Sequence, residues 1–86
     1  MKLVKLSAVL ATFLFSAVLQ ATPVNINKAS ADSIAESLSG IGLKKAQAVV
    51  DYRNQNGHFK SAVDIVEVKG IGPSIFEKNK SDILIK

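Results

Sequence analysis

"LSGIGLKKAQAVV" (residues 38–50) is echoed thirty residues later by "VKGIGPSIFEK" (residues 68–78). The alignment sets Leu38 on Val68, Gly40 on Gly70, Ile41 on Ile71 and Gly42 on Gly72. Two glycines so close favour a turn over a helix interior, and each turn leads into a helix-like run. Repeated units of this kind pack on one another to make a single core. The repeat therefore predicts two copies of short helix, turn, helix.

Working outward from the turns gives the helices. Ser30 is a natural N-cap, with Asp32 in the first turn to favour the helix dipole. Ile34, Ala35 and Leu38 mark one face of a short helix that ends near Leu38. A longer helix runs from about Leu43 to Asn56, with Leu43, Ala46, Val49, Val50 and Arg53 at helical spacing. Gly57 suits the left-handed position that closes it. Ser61 followed by Asp64 resembles a capping box, which starts a third helix from about Ala62 to Val68. Pro73 then fits the first position of a fourth helix that reaches about Ser81. A serine cap precedes Gly40 by ten residues and its counterpart precedes Gly70 by nine. Thr22 to Lys28 reads as an extended lead-in, and the tail "DILIK" packs on the core with no local pattern of its own. The fold class is all-α, a compact domain of four to five helices.

The chain has 86 residues, and its opening belongs to a different class from the rest. Lys2 and Lys5 precede an apolar, charge-free run from Leu6 to Leu19, followed by Gln20-Ala21-Thr22-Pro23. That is the layout of a secretory signal peptide, residues 1–21, with cleavage after Ala21. The run is too short for a spanning helix of about 20 residues, so no stable membrane anchor is expected. Residues 22–86 then form the mature, exported domain. There are no cysteines, which removes disulfides, zinc fingers and thiol redox chemistry. The whole chain carries a formal charge of +4; Lys2 and Lys5 belong to the leader, which leaves +2. Bulk charge that small does not by itself argue for a nucleic-acid partner.

The distribution of charge does. Residues 37–50 contain Lys44 and Lys45 and no acid, and residues 68–76 contain Lys69 and no acid. The glycines allow close approach of the backbone to a partner, and a helix start presents unpaired N–H groups and positive dipole. Lys44 and Lys45 in a first turn oppose that dipole, which points to a role other than helix stability. For one Gly-Ile-Gly alone a plain tight connection would be the better reading. Two aligned, acid-free copies favour an anion contact, phosphate above all.

These residues resemble the helix-hairpin-helix motif: a hydrophobic residue, Gly-hydrophobic-Gly, and an alanine four residues after the second glycine, here Ala46. Nearly all of residues 22–86 resembles the DNA-binding domain of the ComEA family of competence proteins, including "DYR" at 51–53 and "NGHFKS" at 56–61. The resemblance implies a tandem helix-hairpin-helix fold that grips double-stranded DNA across the minor groove through its phosphate backbone, without reading sequence. It implies backbone contacts from Gly40, Ile41 and Gly42 and from Gly70, Ile71 and Gly72, with side-chain contacts from Lys44 and Lys45. The second copy departs from the motif: Phe76 replaces the alanine, and Ser74 and Ile75 stand where the first has lysines. Lys69 or Lys78 is left to compensate, and the first hairpin is expected to be the stronger grip. The family includes anchored forms with a linker, and this chain resembles the soluble periplasmic form. The function implied is capture of incoming DNA for uptake during natural transformation, alongside the uptake machinery. The alternative is an exported protein-interaction adaptor of the same fold that does not bind DNA.

Other residues point to less. His58 is the one histidine, with no cysteine or carboxylate cluster beside it in sequence, so no metal site is expected. Tyr52 and Phe59 are able to stack on bases, but packing beneath the helices is the commoner role. Arg53 is left between a phosphate contact and pairing with Asp51 or Glu67. Asn54-Gln55-Asn56 reads as a solvated helix end more readily than as a base reader. Dispersed carboxylates and four short helices leave no evident catalytic centre or cofactor site, so no enzyme is predicted.

Overall fold

A computed structural model describes residues 22–86. The expected leader and its cleavage point lie outside the described residues. The elements run β1 (Val24–Asn25), α1 (Ala31–Ser37), α2 (Leu43–Asn56), a 3-10 helix (Ala62–Glu67), α3 (Pro73–Asn79), a short 3-10 helix (Lys80–Asp82) and β2 (Ile83–Leu84). The mainly helical, tandem-hairpin architecture expected from the repeat is observed, with one two-residue parallel strand pair that the all-α reading did not include.

The two copies are wound differently, and their lengths say why. In the first, Ile34 and Leu38 are both buried four residues apart, and the Leu38 N–H donates to the Ile34 carbonyl at 3.0 Å. In the second, Ile65 and Val68 are buried three apart, and the Val68 N–H donates to Ile65 at 3.0 Å. These are the α and 3-10 spacings. The second copy has one residue fewer between its serine and its glycine turn. A 3-10 helix rises about 2.0 Å per residue against about 1.5 Å, so six residues reach at least as far as seven α-helical ones. Tighter winding thus makes up for the missing residue and delivers Val68 where the first copy delivers Leu38.

The caps divide in the same way. Ser30 caps α1 through its side chain, accepting from the Ser33 N–H at 3.2 Å. Ser61 makes no side-chain cap; its carbonyl instead accepts from the Asp64 N–H at 3.1 Å, so the expected capping box does not form. Gly57 closes α2 with φ +90 but ψ 174, which sends the chain straight out instead of through a left-handed turn.

The lead-in and the tail find each other. β1 and β2 pair in parallel, Val24 with Ile83 and Asn25 with Leu84, and the Ile26 N–H extends the ladder to the Leu84 carbonyl at 3.0 Å. Val24, Ile26 and Ile83 enter the core beside Ile34, Leu38, Ile41, Ala46, Val49, Phe59, Ile65, Val68 and Ile71. From α3, Ile75 and Phe76 pack partly buried against this one apolar cluster. Arg53 pairs with neither Asp51 nor Glu67: its Nη1 donates to the Ile26 carbonyl at 2.7 Å and ties α2 to the lead-in.

Buried Asn27 fixes the remaining loop. Its Nδ2 donates to the Phe59 carbonyl at 3.1 Å, and its Oδ1 accepts from the Phe59 N–H at 2.7 Å. Phe59, itself buried, stacks on Tyr52 with ring centroids 5.3 Å apart, so this pair packs on protein. Asn27→Ala leaves both Phe59 peptide groups without partners, which costs about 2–4 kcal/mol. Urea unfolding should show a lower midpoint at unchanged slope. A loss under about 1 kcal/mol would mean that the bracket contributes little beyond what water supplies.

Candidate nucleic-acid interface

Within each Gly-Ile-Gly turn the two glycines perform different tasks. Gly40 and Gly70 have φ +79 and +94, a region that L side chains rarely adopt. Gly42 and Gly72 are extended (φ −81 and −110) and serve as N-caps of α2 and α3. Ile41 and Ile71 lie between them, buried in the core, and pin each turn from beneath.

The second glycines lack a conformational reason, and they lack a packing reason too. A Cβ built at Gly42 or Gly72 would meet nothing within 4 Å. Neither N-cap supplies a side-chain acceptor, and neither helix has an acid in its first turn. α1 differs on both counts, with its Ser30 cap and Asp32. The first intrahelical bond of α2 is Ala46 N–H to Gly42 at 2.9 Å, which leaves the preceding amides of its first turn open to an outside acceptor. In α3 the matching bond is Phe76 N–H to Gly72 at 3.1 Å, and Pro73 removes one donor from that set.

Lys44, Lys45, Lys69 and Gly70 line one groove of about 570 Å³, together with Gln47, Ala48 and Asp51. The two hairpins thus share a cationic surface that the linear sequence splits between distant stretches. Lys69 belongs to this groove, whereas Lys78 is not among the residues that line it. The acid-free windows do not translate into an acid-free groove, because α2 carries Asp51 into its wall. The Gln47 Nε2 donates to Asp51 Oδ1 at 3.1 Å.

Sequence reasoning missed Asn79. Its side chain is buried, and its Oδ1 accepts from the Ser39 N–H at 2.8 Å. Its Nδ2 donates to the Ser39 carbonyl at 2.8 Å and to the Ile75 carbonyl at 3.0 Å. The last residue of α3 therefore holds the residue before Gly40 in the other hairpin. Position 79 aligns with Val49, which is also fully buried, so a signal existed: an asparagine where the repeat calls for a core aliphatic.

His58 lines a separate cavity of about 310 Å³ with Tyr52, Asn56, Gly57, Phe59, Lys60, Asp64 and Glu67. Among the described residues no group of three or more His, Cys, Asp or Glu side chains is placed to hold a metal ion.

The helix-hairpin-helix motif family matches residues 19–84. An uncharacterized protein of Haemophilus influenzae is 49% identical over 61 residues, 71% of this chain and 54% of that protein. ComE operon protein 1 of Bacillus subtilis is 46% identical over 63 residues, 73% of this chain and 30% of that protein. Endonuclease/exonuclease/phosphatase family domain-containing protein 1 of Xenopus laevis is 34% identical over 68 residues, 79% of this chain but 12% of that protein. The chain spans about half the length of the first of these relatives and less of the others.

The two glycine classes separate by stability. Gly40→Ala and Gly70→Ala should each cost about 1–2 kcal/mol for the forced positive φ. Gly42→Ala should cost less than about 1 kcal/mol, the penalty of a poorer N-cap. Thermal unfolding of the three variants checks this, and equal losses at all three would remove the distinction.

Proposed function

We propose, because this chain belongs to the ComEA-type helix-hairpin-helix family, that it binds double-stranded DNA through the phosphate backbone without reading sequence. One observation carries the reading: α2 and α3 both start without a side-chain cap or a first-turn acid, and Lys44, Lys45 and Lys69 line a single groove with Gly70 of the second turn. Backbone amides and lysines recognise phosphate in any sequence, whereas base discrimination requires planar side chains placed against base edges. The Gly40-Ile41-Gly42 and Gly70-Ile71-Gly72 turns would each hold one strand across the minor groove.

The biological role follows from this binding and from the leader. An exported protein that grips duplex DNA of any sequence suits capture and retention of incoming DNA in the periplasm, handed on to uptake machinery during transformation. Successive binding events would oppose backward sliding. The role is that of a binding module, not an enzyme. The relative whose name carries endonuclease and exonuclease terms is matched over only 12% of its length, so its name gives no ground for transferring an activity.

Fluorescence anisotropy of the purified protein with labelled duplexes tests the binding. Three lysine–phosphate contacts predict log K falling against log salt with a slope near about −3. Duplexes of unrelated sequence should bind alike. No binding at low salt would overturn the reading in favour of the exported adaptor. Export has its own check: N-terminal sequencing of the protein from the periplasmic fraction should begin at Thr22, and absence of the protein from that fraction would remove the periplasmic assignment.

A further inference from the structure

The second hairpin has Ser74 and Ile75 where the first has Lys44 and Lys45, and on sequence alone it has lost its cations. The fold exchanges the neighbours. A Cβ built at Gly70 would lie 3.5 Å from both Cγ and Cε of Lys45 and 3.8 Å from its Cδ. The stem of Lys45 therefore runs flat across the bare face of Gly70, the first glycine of the other hairpin. At the matching position Ile75 does the reciprocal thing, its Cγ1 3.9 Å from a Cβ built at Gly40. Each hairpin's third helical residue thus covers its partner's positive-φ glycine, and only one of the two is charged.

Resting on the DNA reading above, we propose that Lys45 is a cross-hairpin residue: it belongs to the first hairpin in sequence and supplies its charge to the phosphate contact of the second. Lys45 and Lys69 then flank Gly70 from opposite hairpins, within the groove they share with Lys44. The one carboxylate on that groove, Asp51, accepts a hydrogen bond from Gln47. The absence of lysine at 74 and 75 leaves the second hairpin no weaker, because its cation arrives from across the interface. Over Gly40 the apolar Ile75 supplies packing and no charge, so the first hairpin relies on Lys44 and its open amides.

Lys45→Met keeps an unbranched stem over Gly70 and removes the ammonium. The experiment pairs duplex binding at several salt concentrations with amide NMR of the DNA-bound protein, for wild type and variant. Lys45→Met should bind more weakly with a salt slope shallower by about 1. DNA-induced shifts of the Gly70 and Gly72 amides should shrink, while those of Gly40 and Gly42 persist. Ile75→Lys, which places an ammonium over Gly40, should deepen the slope and enlarge the Gly40 and Gly42 shifts. If Lys45→Met shrinks the Gly40 and Gly42 shifts as much as or more than the others, the assignment is overturned while DNA binding stands. If wild type gives no DNA-induced shifts at low salt, the DNA reading itself fails and takes the assignment with it.

Discussion

The carboxamide of Asn79 holds Ser39 by both its peptide groups, and that bracket joins the two hairpins into one body. A turn with two glycines has many conformations open to it, and its entropy must be overcome by something rigid. The first turn meets that need twice, with Ile41 buried beneath it and Ser39 fixed from α3. Because Asn79 is buried and uses both ends of its amide, moving one hairpin against the other would strand polar groups away from water. The distance between the two turns is therefore set by a polar lock inside an apolar core. The proposed grip on a duplex at two points would require such a fixed span.

Asn27 makes the same two-bond bracket on Phe59, at the other end of α2. Two buried asparagines thus perform for irregular backbone what a β-ladder performs for strands: each pairs one residue's N–H and C=O. In a domain without cysteines and with a core of about a dozen side chains, such brackets stand in for the staples that other small domains use. They fix the loops at Ser39 and Phe59 in a domain whose strands have only two residues each.

Much of this was legible in the sequence, and the divide between what was and what was not is physical. The Gly-Ile-Gly positions, the Ser30 cap, the long helix from Leu43 to Asn56 and Pro73 at a helix start all depend on local chemistry, and all appear where expected. The 3-10 winding of Ala62–Glu67 had a local signal as well, the spacing of nine residues against ten, whose consequence emerges only when both copies must deliver an apolar residue to one core. Asn79, Asn27 and Arg53 had weaker signals, because their partners lie 40, 32 and 27 residues away. The pairing of β1 with β2 joins residues at the two ends of the domain. Periodicity reports which face of an element is apolar and is silent on which distant backbone atom a polar side chain will meet. The same limit applied to the site: charge windows in sequence separated Lys45 from Gly70 and kept Asp51 out of view.

The small net charge of residues 22–86 also takes on a different meaning once the groove is known. The groove holds Lys44, Lys45, Lys69 and Asp51, and their net charge of +2 equals that of residues 22–86 as a whole. The remaining charged side chains balance, six of each sign. The charges off the groove therefore sum to zero, and the surplus lies in the groove, where salt screens it beyond about 8 Å. A uniformly basic domain of this size would bind DNA in many orientations, most of them with the glycine turns facing away. With the surplus charge in a groove that Gly70 lines, the proposed encounter with a duplex would be favoured in the orientation that also brings the second turn to it. Orientation, more than strength, is what so modest a charge can provide.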